Sequence, residues 1–281
     1  MSGTLFLVST PIGNLEDITL RALRVLREAD IIAAEDTRRT AKLLAHYAIQ
    51  TPTISFHAHN TRSRLPRLLA RLERGDRLAL VTDAGTPGVS DPGLELVRAC
   101  LDNAIAVDPV PGPSAPLAAA TASGFPLDPL TIFGFVPVRV KDRKAWMERL
   151  QAINHTFTFF EAPHRVRRTL AEMGSVFGSR PICVGREITK LHQQFLSGRA
   201  ADIVGRLTDL RGEFTIVVGP AVHDKVGIIL VNDRDIYAEF GRVTEKYPGG
   251  RRRLVVDLAR KYGRSPKEVY GIIERLKDSG V

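Results

Sequence analysis

Cysteine is nearly absent: Cys100 and Cys183 are the only two in 281 residues. That excludes a disulfide scaffold and a cysteine-based zinc centre, and it fits a reducing compartment, so a cytoplasmic location is expected. Aromatic residues make up 6%, too few for extensive base stacking. No apolar run approaches the ~18 residues of a membrane span. The opening run is broken by Pro11 and Gly13 and has no basic flank, so it reads as a first strand and not as a signal peptide. Neither G-x-x-x-x-G-K-[ST] nor G-x-G-x-x-G occurs, which excludes an ordinary P-loop and a dinucleotide fingerprint. His57 and His59 stand two apart with no carboxylate or cysteine at ligand spacing. They read as hydrogen-bonding groups near a strand end, and no metal is expected.

Positive charge is what the chain has in excess. Lys and Arg number 40 against 31 Asp and Glu, a formal net charge of +9. A polyanionic partner is the natural expectation. With 44% apolar and 25% charged residues, the composition is that of an ordinary globular protein large enough for one big domain or two modest ones.

Hydrophobic periodicity divides the chain in three. In residues 1–122, strand-like runs (Thr4–Ser9, Ile31–Ala34, Thr53–Phe56, Arg77–Thr82, Ala104–Asp108) alternate with helical spacing (Thr19–Glu28, Thr40–His46, Arg64–Arg74, Leu94–Asn103). Alternating strand and helix implies an α/β domain on a parallel sheet. Ser123–Pro129 breaks the pattern with Gly and two prolines. Residues 123–222 are richer in strand and predict an α+β domain with a mixed sheet. Its strands are expected at Leu130–Val136, Thr156–Phe160, Pro181–Arg186 and Glu213–Gly219. Its helices are expected at Lys141–Ala152, His164–Phe177 and Ala200–Asp209. Residues 223–281 predict a small helical domain, with helices over Ile236–Tyr247, Arg252–Lys261 and Ser265–Leu276. The last two resemble a helix-turn-helix or, equally, a small helical appendage packing on the body or on another subunit, and Ser265 with Pro266 suits a helix start.

Three loops behind predicted strands hold most of the Gly, Pro and small polar residues: Ser9–Asp17, Thr82–Gly93 and Pro109–Ala115. In open α/β sheets, ligands sit beyond the carboxyl ends of the strands. One such loop would be ordinary turn chemistry; three in one half-chain point to a site.

These loops carry a resemblance. VSTPIGNL (8–15), AEDTR (34–38), VTDAGTP (81–87) with DPG (91–93), PGPSA (111–115) and FEAPHR (160–165) resemble, in order, the motifs of the tetrapyrrole methylase superfamily. They are most similar to its bacterial branch acting on 16S ribosomal RNA, the cytidine 2′-O-methyltransferases. The resemblance runs from about residue 4 to 219. It implies a two-domain tetrapyrrole-methylase-like fold with S-adenosyl-L-methionine in the cleft, a homodimer, and methyl transfer to the ribose 2′-oxygen of a cytidine in 16S rRNA of the small ribosomal subunit. Tetrapyrrole-acting members usually carry a Gly-rich first loop. Here that loop has Pro11 and one glycine, Gly13, which favours RNA. A tetrapyrrole or precorrin methyltransferase and a non-catalytic RNA-binding protein on the same fold are the alternatives.

Carried onto this chain, the resemblance implies cofactor contacts from Pro11, Asp83, Ala84, Gly85, Thr86, Asp91, Ser114, Ala115, Phe160, Phe214, Thr215 and Ile216. A ribose hydroxyl is a poor acid, so a nearby base should help. Asp36, Glu161 and His164 are the leading candidates, beside Glu35 and the His57–Asn60 loop, and spacing does not choose among them; Asp36 also suits a helix N-cap. The basic clusters expected to meet RNA are Arg38 and Arg39, Arg143 and Lys144, and Arg251 and Arg252.

Overall fold

A computed structural model describes residues 2–89, 93–221, 233–246, 251–262 and 264–278. The chain divides into two units, Met1–Ala221 and Val222–Val281.

The first unit opens with five short apolar strands: β1 (Thr4–Val8), β2 (Ile31–Ala34), β3 (Thr53–Ser55), β4 (Arg77–Val81) and β5 (Ala106–Val110). They form a parallel sheet in the order β3-β2-β4-β1-β5. Successive residues of a strand point to opposite faces, and β2 shows the consequence. Ile32 and Ala34 join a core with Val8, Val25, Leu26 and Leu43. Ile31 and Ala33 join another with Leu5, Leu68, Leu72 and Leu96. Helices α1 (Leu20–Glu28) and α2 (Thr37–His46) supply the first core, and α3 (Thr61–Glu73) and α4 (Leu94–Asp102) the second. Each fully buried Leu or Ile contributes about 1.5–3 kcal/mol. Two starts lie earlier than periodicity predicts. The Asp36 carboxylate caps α2 by accepting the Arg38 N–H at 2.8 Å, and the His57–Asn60 turn carries α3 back to Thr61.

The second sheet contains β6 (Leu130–Phe135), β7 (Thr156–Glu161), β8 (Ile182–Arg186), β9 (Gln194–Gly198) and β10 (Phe214–Val218), in the order β6-β7-β10-β8-β9. β6 and β7 are parallel and the other pairs antiparallel, so the sheet is mixed, as expected. Helices α6 (Val140–Gln151), α7 (Val166–Phe177) and α8 (Ala200–Arg206) cover one face around Trp146, Phe157, Phe159, Leu170 and Ile203. The other face meets α5 (Ala115–Ser123), a helix that periodicity does not reveal because APLAAATAS has no apolar stripe. Its small side chains let it lie close against Cys183 and Val217. α5 begins at the first sheet and packs on the second, so it ties the two halves together.

In the second unit, α9 (Asp233–Lys246), α10 (Arg251–Tyr262) and α11 (Pro266–Asp278) surround Ile236, Leu258, Val269, Ile272 and Ile273. Ser265 and Glu268 form a reciprocal capping box at the start of α11. The expected domain start near residue 223 and the helix end at Tyr247 lie outside the described residues. Among the described residues, no helix is long and apolar enough to cross a membrane.

Candidate active site

The loops leaving β1, β4 and β5 are bonded into one platform. Thr10 and Gly85 exchange backbone N–H···O bonds of 2.9 and 3.0 Å. The Thr10 hydroxyl donates to the Thr82 carbonyl at 3.1 Å, and the Ser9 and Thr86 hydroxyls lie 2.9 Å apart. Gly85 has φ +81°, a conformation costly for any residue with a Cβ. At Gly112 a Cβ would sit 2.8 Å from that of Ser9, so only glycine lets the third loop close on the first.

This platform forms one wall of a cavity of about 320 Å³, with Ile12, Asp83–Thr86 and Ser114–Pro116. The opposite wall comes from the second sheet: Phe135, Phe160–Pro163 and Gly212–Thr215. β7 and β10 pair Phe160 with Thr215 and Glu161 with Phe214, so these residues arrive together at one strand end. Three features give the cavity its chemistry. The Ser114–Pro116 wall is the N-terminus of α5, where the Ser114 side chain makes no capping bond and, Pro116 having no N–H, the Ala115 and Leu117 N–H groups are the first-turn donors. Phe135, 58% exposed and 5.3 Å from the Phe160 ring, offers an apolar face. Asp83 supplies a carboxylate whose Oδ1 accepts the Asp36 N–H at 3.1 Å and whose Oδ2 lies 3.3 Å from Arg39.

Of the expected cofactor residues, Asp83, Ala84, Gly85, Thr86, Ser114, Ala115, Phe160, Phe214 and Thr215 all line this cavity. Pro11 does not; it lines an adjoining recess of about 160 Å³ with Thr10, Leu15, Arg39, Lys42 and Thr82. Ile216 is not in the lining: strand alternation turns its side chain into the core under α6–α8, fully buried. Asp91 lies outside the described residues. Ile12, Phe135, Pro116, Ala162, Pro163, Gly212 and Glu213 line the cavity without having been singled out. Ile12, Ala162 and Pro163 lie inside the VSTPIGNL and FEAPHR motifs, and nothing local pointed to Phe135.

The three leading proton-acceptor candidates occupy different settings. The Arg38 guanidinium bonds the Asp36 carboxylate, and the Arg38 backbone N–H adds another bond; together they hold it well below the usual carboxylate range. Such a carboxylate is a weak base, and Asp36 caps α2. Glu161 is fully buried and saturated. Its Oε1 accepts from Arg165 at 2.6 Å and from the Ala162 N–H at 2.7 Å. Its Oε2 accepts from the Thr169 hydroxyl at 2.5 Å and from Arg143 at 3.5 Å. The side chain therefore braces the Phe160–Pro163 wall from behind. His164 is exposed and stands outside the cavity lining.

Among the expected RNA contacts, Arg143 is a correction. Its side chain is 5% exposed and bonds Glu172 at 2.5 Å and Thr169 at 2.6 Å besides Glu161, because α6 turns it into the α6–α7 interface. It is an internal strut. Arg38, Lys144, Arg251 and Arg252 are exposed, and Arg39 sits at the cavity rim. His57 Nε2 lies 3.2 Å from Asn60 Nδ2, a strand-end hydrogen bond. Among the described residues, no cluster of three or more His, Cys, Asp or Glu is arranged to hold a metal.

The model of the Tetrapyrrole (Corrin/Porphyrin) Methylases matches residues 4–204. Ribosomal RNA small subunit methyltransferase I of Mesorhizobium japonicum is 48% identical over 221 residues, covering 77% of this chain and 75% of that protein. The protein of the same name from Streptococcus pyogenes is 40% identical over 273 residues, 96% of this chain and 94% of that one. Of solved structures, uroporphyrin-III C-methyltransferase from Thermus thermophilus, complexed with S-adenyl homocysteine, superposes with a TM-score of 0.54 at 18% identity. It covers 79% of this chain and 100% of its own.

Proposed function

The chain belongs to the tetrapyrrole (corrin/porphyrin) methylase family, and on that premise we propose that it methylates small-subunit ribosomal RNA from S-adenosylmethionine. The acceptor in this reading is the ribose 2′-oxygen of a cytidine in 16S rRNA. The observation that carries the reading is the cavity between the two sheets, in a chain 40–48% identical to proteins named small-subunit rRNA methyltransferases.

The residues present suit the donor. A volume of about 320 Å³ lies within the ~300–1,000 Å³ of small-molecule sites. Open N–H groups at the start of α5 suit a carboxylate. Phe135 and Phe160 give an apolar slot for an adenine ring, and the Asp83–Thr86 turn adds acceptor oxygens. When bound, S-adenosylmethionine supplies an electrophilic methyl carbon on a sulfonium.

The protein's part is positioning. The bonded platform of Thr10, Gly85 and Thr86 fixes one wall, and the buried Glu161–Arg143–Arg165 cluster fixes the other. Holding two reactants in line supplies as much as roughly 7–11 kcal/mol of barrier reduction. The cavity between the lobes also keeps bulk water from the reacting atoms. With Asp36 and Glu161 both held by arginines, this positioning, and not a strong base, is the main source of rate.

Residues 1–122 and 123–222 form the two lobes in this reading, and 223–281 an added RNA-contact domain. Arg38, Arg39, Lys144, Arg251 and Arg252 supply phosphate contacts. A homodimer acting in the cytoplasm on the small subunit completes the proposal. The test is transfer of a labelled methyl from S-adenosylmethionine to small subunits or their RNA, followed by nucleoside mass spectrometry. The expected product is 2′-O-methylcytidine. No transfer, or methyl on a base, would overturn the reading.

A further inference from the structure

The recess beside the main cavity has features that the cofactor reading leaves unused. It shares Arg39 and Asp83 with that cavity, so it lies next to it. Lys42 stands one helical turn beyond Arg39 on α2 and also lines the recess. Arg39 is partly neutralised by Asp83 at 3.3 Å, whereas Lys42 has no carboxylate partner among the described residues. Thr82 is 3% exposed and lines the same recess. Its buried hydroxyl has no protein partner among the described residues, a cost that a bound polar group would remove. Pro11, Leu15 and Leu43 supply the apolar side. At about 160 Å³ the recess has half the volume of its neighbour, room for one sugar with its phosphate and not for a run of bases.

We infer that this recess is the target-nucleotide subsite. Lys42 and Arg39 hold the phosphodiester of an RNA strand, and the Thr82 hydroxyl bonds the sugar-phosphate unit whose ribose faces the main cavity. The inference rests on the RNA methyltransferase reading and names the residues that present the acceptor.

The test compares wild type with Lys42→Ala, Lys42→Arg and Thr82→Val. It reads KM and kcat on small-subunit RNA at several salt concentrations, S-adenosylmethionine affinity by calorimetry, and Tm. For Lys42→Ala, KM for RNA should rise about ten-fold, the loss of one charge-assisted bond. The slope of log affinity against log salt should fall by about 0.7–0.9, one phosphate contact. Donor affinity should stay unchanged, and Lys42→Arg should restore most of the loss. For Thr82→Val, KM should rise about three-fold with Tm unchanged or higher, because a methyl replaces an unpaired hydroxyl. A wild-type KM and salt slope in Lys42→Ala, with the wild-type enzyme active, would overturn the subsite alone. An unchanged KM in Thr82→Val would remove the hydroxyl from it. An inactive wild type would overturn the methyltransferase reading, and the subsite with it.

Discussion

Replacing Arg143 by methionine removes the cation at the centre of the α6–α7 interface while keeping most of the apolar stem. The guanidinium bonds Glu172 at 2.5 Å, the Thr169 hydroxyl at 2.6 Å and Glu161 at 3.5 Å, with the side chain 5% exposed. Removing one partner of a buried ion pair costs about 3–5 kcal/mol, because the other charge is left uncompensated. Arg165 still holds Glu161 at 2.6 Å, and Glu172 keeps Arg168 at 2.8 Å and is one-third exposed, so the lower end applies, about 3 kcal/mol. In a unit of this size 1 kcal/mol corresponds to roughly 2–4 °C, so Tm should fall by roughly 6–12 °C. Urea titration should show a lower midpoint at unchanged m. The salt dependence of RNA binding should keep its slope, since no phosphate contact is lost. A wild-type Tm together with a shallower slope would refute the buried-strut assignment and return Arg143 to the surface that meets RNA.

Three further outcomes follow from the same structure. The folded-state carboxyls of Asp36 and Asp209 lie below their unfolded values because Arg38 and Arg211 bond them. Their contribution to stability is therefore present above the ordinary carboxylate pKa of about 3.9 and lost as pH falls below it. Acid titration of Asp36→Asn should show a shallower decline than wild type, and an identical profile would contradict the pairing. Asp83→Ala should weaken S-adenosylmethionine binding at least several-fold by calorimetry, because the turn loses the acceptor that ties it to Asp36 and Arg39; unchanged affinity would count against this wall of the site. Deleting residues 222–281 should weaken small-subunit RNA binding and leave donor affinity intact, since that unit has its own core; equal RNA binding would leave the tail without the proposed role.

Sequence pattern revealed much of this because the signals were local. β2 is four apolar residues between turns, and it appears over the expected Ile31–Ala34. The loops behind β1, β4 and β5 were legible because glycine and proline mark backbone that must bend or approach closely, as Gly85 and Gly112 do. What stayed hidden is tertiary. α5 has no amphipathic stripe because its buried side is built from Pro116, Ala119 and Ala120 while its one large apolar residue, Leu117, is exposed, and β9 is a five-residue edge strand. Arg143 and Lys144 are neighbours in sequence, yet one is buried and the other 81% exposed; only the facing of α6 separates them. Ile216 and Thr215 likewise part by strand alternation, one into the core and one into the cavity. α3 starts at Thr61, three residues before the expected Arg64, because the His57–Asn60 turn lies outside any apolar period.

The central claim is that the space between the two sheets receives the methyl donor. A crystal of the full chain soaked with S-adenosylhomocysteine tests it most directly. The expected density lies between Asp83–Thr86 and Phe160–Phe214, with the carboxylate on the first turn of α5. Ligand bound elsewhere, with that cavity unfilled at saturating concentration, would contradict it.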